Sequence, residues 1–425
     1  MTNIIELLKK NGGISAWRVS ETATKSYELF FVHRQLETVR ATDTLDTKVT
    51  VYVDHDGCRG DSTFTVSAAL SDEEAEKKIA DAVVRAGLVS NPPYILPEGG
   101  TLRAELPTNM QDEDPKALGR KIADAVFAAD SVPGGSINAC EIFLYRDTLH
   151  VRNSSGVDKS QVTHRVMIEA IPTFTDDKQS VELYEDYRFT VFDPEKITAE
   201  IARKMAEVRD RVIAEKPQTP LKTRVLLRPH EIRGMCEELS WALSYNAVYS
   251  HATPFSLKDD LQEGGDGDRL TLTMRGVVEG SEDSAFFDED GTALTDTCVI
   301  DKGVVKNNHG SSRYGQYLNV ERPSGNMNCM VLDAGTVSEA DLKSAPYLEC
   351  VSLSGLQMDL FSDYIGGEIR LAYWFDGRET RPVTGITMSG KLSDVLKYLR
   401  LSRETVVDGA YQGPALLLMP EMTVL

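Results

Sequence analysis

The sequence predicts an α+β protein with two large parts, an N-terminal α/β region containing an antiparallel sheet and a C-terminal β-rich region with few helices. Three observations support this class. The chain has 425 residues, two to four times the length of a typical domain. Segments of alternating apolar and polar residues recur along it, and clear helical periodicity is confined to a few segments, most of them before residue 220. Elements in this arrangement favour an α+β fold over a doubly wound one.

Strand patterns occur at both ends of the N-terminal region. Residues 27–32, 37–41 and 48–54 alternate as strands do, and a turn at 54–57 ends the third. The pattern returns over four later segments around a turn at 153–156, namely residues 140–145, 148–152, 162–171 and 187–191. We therefore predict an antiparallel sheet in this part of the chain.

Helix signals lie between these strands. Ser71 followed three residues later by Glu74 predicts a capping box and a helix that begins there. A second helix is predicted over residues 115–130. Asp193 and Pro194 begin a third, whose apolar residues repeat at helical spacing: Ile197, Ile201, Met205, Val208 and Val212.

A proline-containing segment at residues 216–220 predicts the main domain boundary. It separates an N-terminal domain over residues 1–216 from a C-terminal domain over 221–425, and a further division of the first into 1–135 and 136–216 is left open. The second domain begins with a strand at 224–227 and a helix at 229–244. Short helices are predicted near 338–344 and 392–401, among strands and turns.

Composition excludes several classes of function. The formal charge of −20, from 66 acidic and 46 basic residues, would repel a nucleic acid backbone, and no basic patch interrupts it. No apolar run is long enough to span a bilayer, and the first residues lack a secretion signal. The six cysteines form no CxxC pair, which predicts reduced thiols. We therefore expect a cytoplasmic protein that binds neither nucleic acid nor membrane.

Several segments together resemble one known family. In the N-terminal half these are the strand at 49–54 with Gly57, Arg59 and Gly60, and the helix stop at 91–93. The C-terminal half adds residues 249–255, 287–291 followed by 299–304, and 367–369 followed by 381–390. Their order and spacing resemble the TldD/PmbA family of peptidases, once called modulators of DNA gyrase, and most closely its PmbA/TldE branch.

The resemblance implies a zinc site in the catalytic branch of that family, made by a His-Glu-x-x-x-His helix and a later cysteine. Catalytic zinc needs three protein ligands and an open position. Counted back from residues 253–255, the motif falls on 236–241, where Cys236 and Trp241 occupy the histidine positions and Glu237 is retained. Tryptophan cannot bind zinc, and no cysteine follows Cys350.

The same residues also have ordinary structural interpretations. Cys236 belongs to an apolar stripe on the predicted helix, which indicates a core position, and Glu237 then faces solvent. His230 and Glu231 begin a second copy of the motif, but Met235 stands where its second histidine is required. His230 is then an exposed residue of the first helical turn, where Glu231 favours the helix dipole. Glu237 remains a candidate catalytic residue, Cys236 and His230 remain candidate metal ligands, and a site assembled from distant residues stays open.

The resemblance also implies a dimer, either of identical chains or with a zinc-bearing TldD-like subunit, that encloses a chamber in which unfolded peptides are cleaved. Because the ligands are missing, we expect a non-catalytic subunit that supplies dimer interface and chamber wall, with no cofactor of its own and zinc only in its partner. Two alternatives are an active metallopeptidase with a rearranged metal site and a homodimeric binding or scaffold protein.

Overall fold

The computed structural model describes residues 3–67 and 69–425. In the N-terminal part, the described residues form four helices. They are α1 (Ile4–Lys10), α2 (Asp72–Ala86), α3 (Pro115–Ala128) and α4 (Pro194–Ile213). The strands of this part are β1 (Ala16–Val32), β2 (Gln35–His55), β3 (Cys58–Val66), β4 (Thr101–Glu105), β5 (Gly135–Asn153), β6 (Asp158–Thr175), β7 (Ser180–Glu182) and β8 (Glu185–Phe189).

These strands form one sheet in the order β3-β2-β1-β5-β6-β4, and β7 and β8 also pair with β6. Neighbours are antiparallel except β4 and β6, so the predicted antiparallel sheet is confirmed. The strands are longer than predicted. Residues 140–145 and 148–152 belong to one strand, β5, because the intervening Asp147 is held by neighbouring strands, accepting a hydrogen bond from Thr24 at 2.6 Å and pairing with Arg165 at 2.7 Å.

The predicted helices of this part are confirmed with small changes at their ends. The capping box of α2 is present, and the helix ends at Ala86, before the proline stop. The apolar stripe of α4 is buried at Ile197, Ile201, Met205 and Val208, and it packs with α3 against the sheet. Helix α1 was not predicted from the sequence. It is short, and Asn3 caps it by accepting a hydrogen bond from the Glu6 amide.

The C-terminal part contains helices α5 (Pro229–Ala242), α6 (Tyr245–Tyr249), α7 (Ser312–Tyr317), α8 (Glu339–Leu342) and α9 (Leu392–Tyr398). Its strands are β9 (Leu221–Leu227), β10 (Leu272–Arg275), β11 (Thr297–Asp301), β12 (Val304–Val305), β13 (Cys329–Leu332), β14 (Tyr347–Asp359), β15 (Tyr364–Phe375), β16 (Thr380–Val383), β17 (Ile386–Lys391), β18 (Arg400–Leu401), β19 (Thr405–Asp408), β20 (Tyr411–Pro414) and β21 (Leu417–Val424).

Two sheets make up this part. One has the order β12-β11-β10-β13-β20-β19, and the other has the order β14-β9-β21-β17-β15-β16 with β18 added beside β21. In the second sheet β14 also pairs with β15, so five strands close into a small barrel. Both sheets and α5 share one hydrophobic core. The α+β class is thus confirmed, and the division into folding domains at residues 216–220 stays a prediction.

The two parts are joined by polar contacts and a small apolar cluster. Gln316 of α7 exchanges two 2.8 Å hydrogen bonds with the backbone of Ile95, and the Tyr317 hydroxyl donates to the Pro92 carbonyl at 2.9 Å. Phe287 packs against Val151 and Val157. These contacts hold the parts in one orientation on either side of a cavity. None of the described helices is long and apolar enough to cross a membrane.

Gly60 gives a test of this packing. A Cβ atom there would lie 1.8 Å from the carbonyl oxygen of Ala86, at the end of α2, and that backbone cannot move aside as a flexible side chain could. Gly60→Ala is expected to lower the free energy of unfolding by about 2–4 kcal/mol, measured by urea denaturation. Gly12→Ala is the control because a Cβ there meets no atom of the described residues within 4 Å. Equal stability of the two variants would contradict this packing.

Candidate functional site

A cavity of about 900 Å³ lies where the N-terminal and C-terminal parts meet. Strand β8 and the first half of α4 form one wall, and α5 with residues of β13, β14 and β19 forms the other. Strand β8 pairs with β6 alone within the described residues, and its side chains line the cavity. A roomy concave site between two parts of a chain, lined by convergent polar groups, is the usual setting for a binding site.

Helix α5 carries the candidate residues from the sequence, and only some of them face the cavity. His230, Arg233, Glu237 and Ser240 line it, because residues three or four apart share one face of a helix. Cys236 is buried in the core beside other apolar residues of α5, as its position in the apolar stripe predicted. Burial raises the pKa of the Cys236 thiol to about 12, so the thiolate needed for metal binding is disfavoured.

The remaining candidates are accessible but do not form a metal site. Glu237 is exposed, as predicted, and lies 3.6 Å from Arg233. Exposed His230 accepts a 3.2 Å hydrogen bond from the same arginine through Nδ1, if that nitrogen is unprotonated. Trp241 is 50% exposed and lies outside the cavity lining. Across residues 3–67 and 69–425, no three His, Cys, Asp or Glu side chains are arranged to hold a metal ion.

The donor set therefore does not fit the zinc ion of the family's catalytic branch. Cys236 lies in the core, a tryptophan occupies the second histidine position, and residues 412–414 after β19 contain no cysteine. Three protein ligands are the minimum for catalytic zinc. We accordingly assign no step of any reaction to a metal ion in this chain.

Charged side chains dominate the cavity lining. The acidic residues from the N-terminal part are Glu185, Asp186, Asp193 and Glu200. Those from the C-terminal part are Glu231, Glu237, Glu282, Asp283 and Asp408. The basic residues are fewer: Arg188, Lys196, Arg203, Lys204, Arg228 and Arg233. Acidic side chains thus outnumber basic ones by nine to six, and the cavity has a negative balance.

A buried ion-pair network joins the two walls. Arg228, just before α5, pairs with Glu207 of α4 at 2.5 Å and with Glu349 of β14 at 3.0 Å. Lys204 pairs with Glu207 at 3.0 Å and with Glu185 of β8 at 2.7 Å. Burial alone would raise the pKa of Glu207, but the facing Lys204 and Arg228 outweigh it and lower that pKa. The network therefore stays charged at neutral pH and ties α4 to the C-terminal part.

For other carboxyl groups in the cavity, burial outweighs the effect of nearby basic groups. Glu231 is only 7% exposed, and burial raises its pKa against the attraction of His230 and Arg228. Burial likewise raises the pKa values of Glu200, Glu282 and Asp283. Buried groups with perturbed pKa values in a cleft are typical of functional sites, although structural ion pairs also produce them.

Sequence reasoning missed the most unusual of these groups. It placed Glu231 in the first turn of α5, where a negative charge favours the helix dipole, and did not predict that the structure buries this side chain in the cavity wall. A signal was available for the network, because Lys204 and Glu207 directly adjoin the apolar positions Met205 and Val208 of α4. Charged residues so close to a buried stripe indicate partners on the opposite surface.

Comparison with known proteins relates the C-terminal part of the chain to one family and the whole chain to one fold. A family model for the PmbA/TldA metallopeptidase C-terminal domain matches residues 220–425. A comparison with curated proteins finds no match. The C-terminal part of the chain therefore matches a domain of the TldD/PmbA family, which supports the resemblance seen in its motifs.

Solved structures extend the likeness of fold to the whole chain. A proposed modulator of a DNA gyrase from Thermotoga maritima has a TM-score of 0.80 at 18% identity, over 99% of this chain and 98% of that one. TldE from Thermococcus kodakarensis has a TM-score of 0.80 at 15% identity, covering 99% of each chain. A third protein, a proposed modulator of DNA gyrase from Bacteroides thetaiotaomicron, has a TM-score of 0.79 at 15% identity, over 99% of this chain and 97% of that one.

The buried state of Glu231 predicts a pH-dependent effect on stability. A carboxyl group whose pKa is raised by folding destabilises the fold above its folded pKa, and the penalty disappears below the unfolded pKa. Glu231→Gln is therefore expected to raise the Tm by about 1–3 °C at pH 7 and to leave it unchanged at pH 4. Glu238→Gln, on an exposed position of the same helix, is the control. A lower Tm for Glu231→Gln at pH 7 would show that the charged form is stabilised.

The ion-pair network predicts unequal roles for two arginines that contact Glu207. Arg228→Leu removes one of two basic partners from each of two buried carboxylates, since Glu207 keeps Lys204 and Glu349 keeps Lys343. The free energy of unfolding should therefore fall by about 3 kcal/mol, the lower end for a broken buried pair. Arg203 contacts Glu207 at 3.8 Å and its side chain is 61% exposed. Arg203→Leu should cost less than about 0.5 kcal/mol. Urea denaturation at pH 7 measures both, and similar losses would refute a special role for Arg228.

Proposed function

We propose that this chain is the non-catalytic subunit of a TldD/PmbA-type peptidase that processes unfolded peptides. The observation that carries the proposal is the orientation of α5, which buries Cys236 in the core. Among the described residues, those that α5 exposes to the cavity do not provide enough ligands for a zinc site. Zinc would then reside only in a catalytic partner with an intact His-Glu-x-x-x-His helix. The likeness of fold to a protein named TldE accords with this proposal.

In this proposal, unfolded peptides enter the cavity as extended strands. Strand β8 has one edge paired with β6, and the residues from Tyr184 to Phe189 line the cavity. A peptide that adds to a free strand edge is held by main-chain hydrogen bonds, which require little of its side chains. This mode suits a peptidase that acts on disordered segments. In the proposal, a second subunit completes the chamber around this cavity.

The proposed protomer consists of two domains, divided at residues 216–220, and it forms a dimer with a copy of itself or with the zinc-bearing subunit. We place the complex in the cytoplasm. All six cysteines are free thiols, and such a set is typical of a reducing compartment.

The test is peptide cleavage with and without a partner. An unstructured fluorogenic peptide is incubated with the purified chain, with a zinc-bearing relative from the same organism, and with both. We expect no cleavage by this chain alone, and cleavage that increases when both are present and co-purify. Chelator-sensitive cleavage by this chain alone would instead indicate an active metallopeptidase with a rearranged site. Failure to associate with any zinc-bearing relative would favour the scaffold alternative.

A further inference from the structure

Glu231 occupies an unusual position in the cavity wall. Only 7% of the Glu231 surface is exposed, so the residue is more than nine-tenths buried, yet it lines the cavity. Within the described residues, no basic nitrogen lies within 4 Å of its carboxylate and no other residue donates a hydrogen bond to it. A buried carboxylate without a partner is costly, so native structures usually neutralise it or provide an opposite charge.

The basic residues of the cavity do not provide that charge, because each already lies within 4 Å of another carboxylate. The pairs are Arg188 with Asp186, Lys196 with Glu200, and Arg233 with Glu237, while Lys204, Arg203 and Arg228 all contact Glu207. Asp283, on the loop between β10 and β11, is half-buried and likewise has no ion pair in the described part of the chain. Within the described residues, Glu231 and Asp283 are therefore carboxyl groups of the C-terminal wall that have only more distant basic groups near them and no ion pair.

The chemistry of this wall favours an organic cation over a metal ion. The described residues offer no group of three metal-binding side chains, and a metal ion requires several donors at fixed short distances. An ammonium or guanidinium group is satisfied by fewer acceptors and looser geometry. The Tyr187 hydroxyl lines the same cavity and has no hydrogen-bond partner among the residues that the structure describes, so it is a further group that a ligand could contact.

We infer that Glu231 forms a subsite for an alkylammonium or guanidinium group of the bound peptide, and that Asp283, which lines the same cavity, adds to the negative charge there. The inference rests on the proposed function, because it adds charge selectivity to peptide binding by this cavity. Main-chain pairing with β8 would hold a peptide of any sequence, whereas the acidic wall would favour segments that carry a basic side chain or a free amino terminus. Acidic segments would be repelled by the same wall.

Binding of matched peptides tests this inference. The first peptide is unstructured, has blocked ends and carries one central lysine, and the second has norleucine in place of lysine. Fluorescence anisotropy at low salt is expected to give about tenfold tighter binding of the lysine peptide, as for a charge-assisted contact in a partly buried site. Glu231→Gln and Asp283→Asn should each reduce this preference. Glu238→Gln, outside the cavity lining, should retain it.

Further arms separate the possible outcomes. A norleucine peptide with a free amino terminus shows whether the α-amino group can replace the lysine side chain. Equal binding of the two blocked peptides to the wild-type chain would overturn the subsite and leave peptide binding intact. If neither peptide binds, the peptide-chamber proposal fails. The subsite is then tested with butylammonium chloride, compared with sodium chloride at equal ionic strength. Butylammonium should raise the Tm of the wild-type chain and leave the Tm of Glu231→Gln unchanged. Equal Tm values of the wild-type chain in the two salts would overturn the subsite.

Discussion

The burial of one face of α5 is the constraint on which the chemistry of this protein depends. Ile232, Met235, Cys236 and Leu239 pack into the core shared by the barrel and the second C-terminal sheet. Their burial fixes the rotation of the helix and leaves His230, Arg233, Glu237 and Ser240 facing the cavity. Rotating the helix to bring Cys236 into the cavity would expose its apolar neighbours, at roughly 1.5–3 kcal/mol for each large side chain.

The same packing explains how charge is distributed around the cavity. Arg228 lies at the start of α5, and its contacts with Glu207 and Glu349 fix the end of the helix against α4 and β14. Glu231, one turn later, is also buried, but it forms no ion pair with any other described residue. In the proposed subsite, the cost of burying this carboxyl group is recovered when a complementary cation binds.

The local elements were largely predictable because their signals are local. The capping box at Ser71, the stripe of α4 and the core position of Cys236 depend on residues a few positions apart, and all three are found. The continuity of β5 through Arg146 and Asp147 was missed, because its polar residues are satisfied by partners on β1 and β6.

The cavity was not predictable from the sequence, because it too depends on contacts between segments that are distant in the chain. It is assembled from residues near 184–204, 228–240 and 406–410, and the burial of Glu231 is decided by elements distant in sequence. Periodicity places Glu231 on a helix and identifies the apolar face beside it. It does not show that the first turn of this helix is buried in the wall of a cavity.

The central claim, that α5 cannot hold a catalytic metal, is tested most directly by elemental analysis of the chain purified without chelators and dialysed against micromolar zinc. The account predicts zinc far below one ion per chain, unchanged in Glu237→Gln and His230→Ala. One tightly bound zinc ion per chain that is lost in either variant would contradict it.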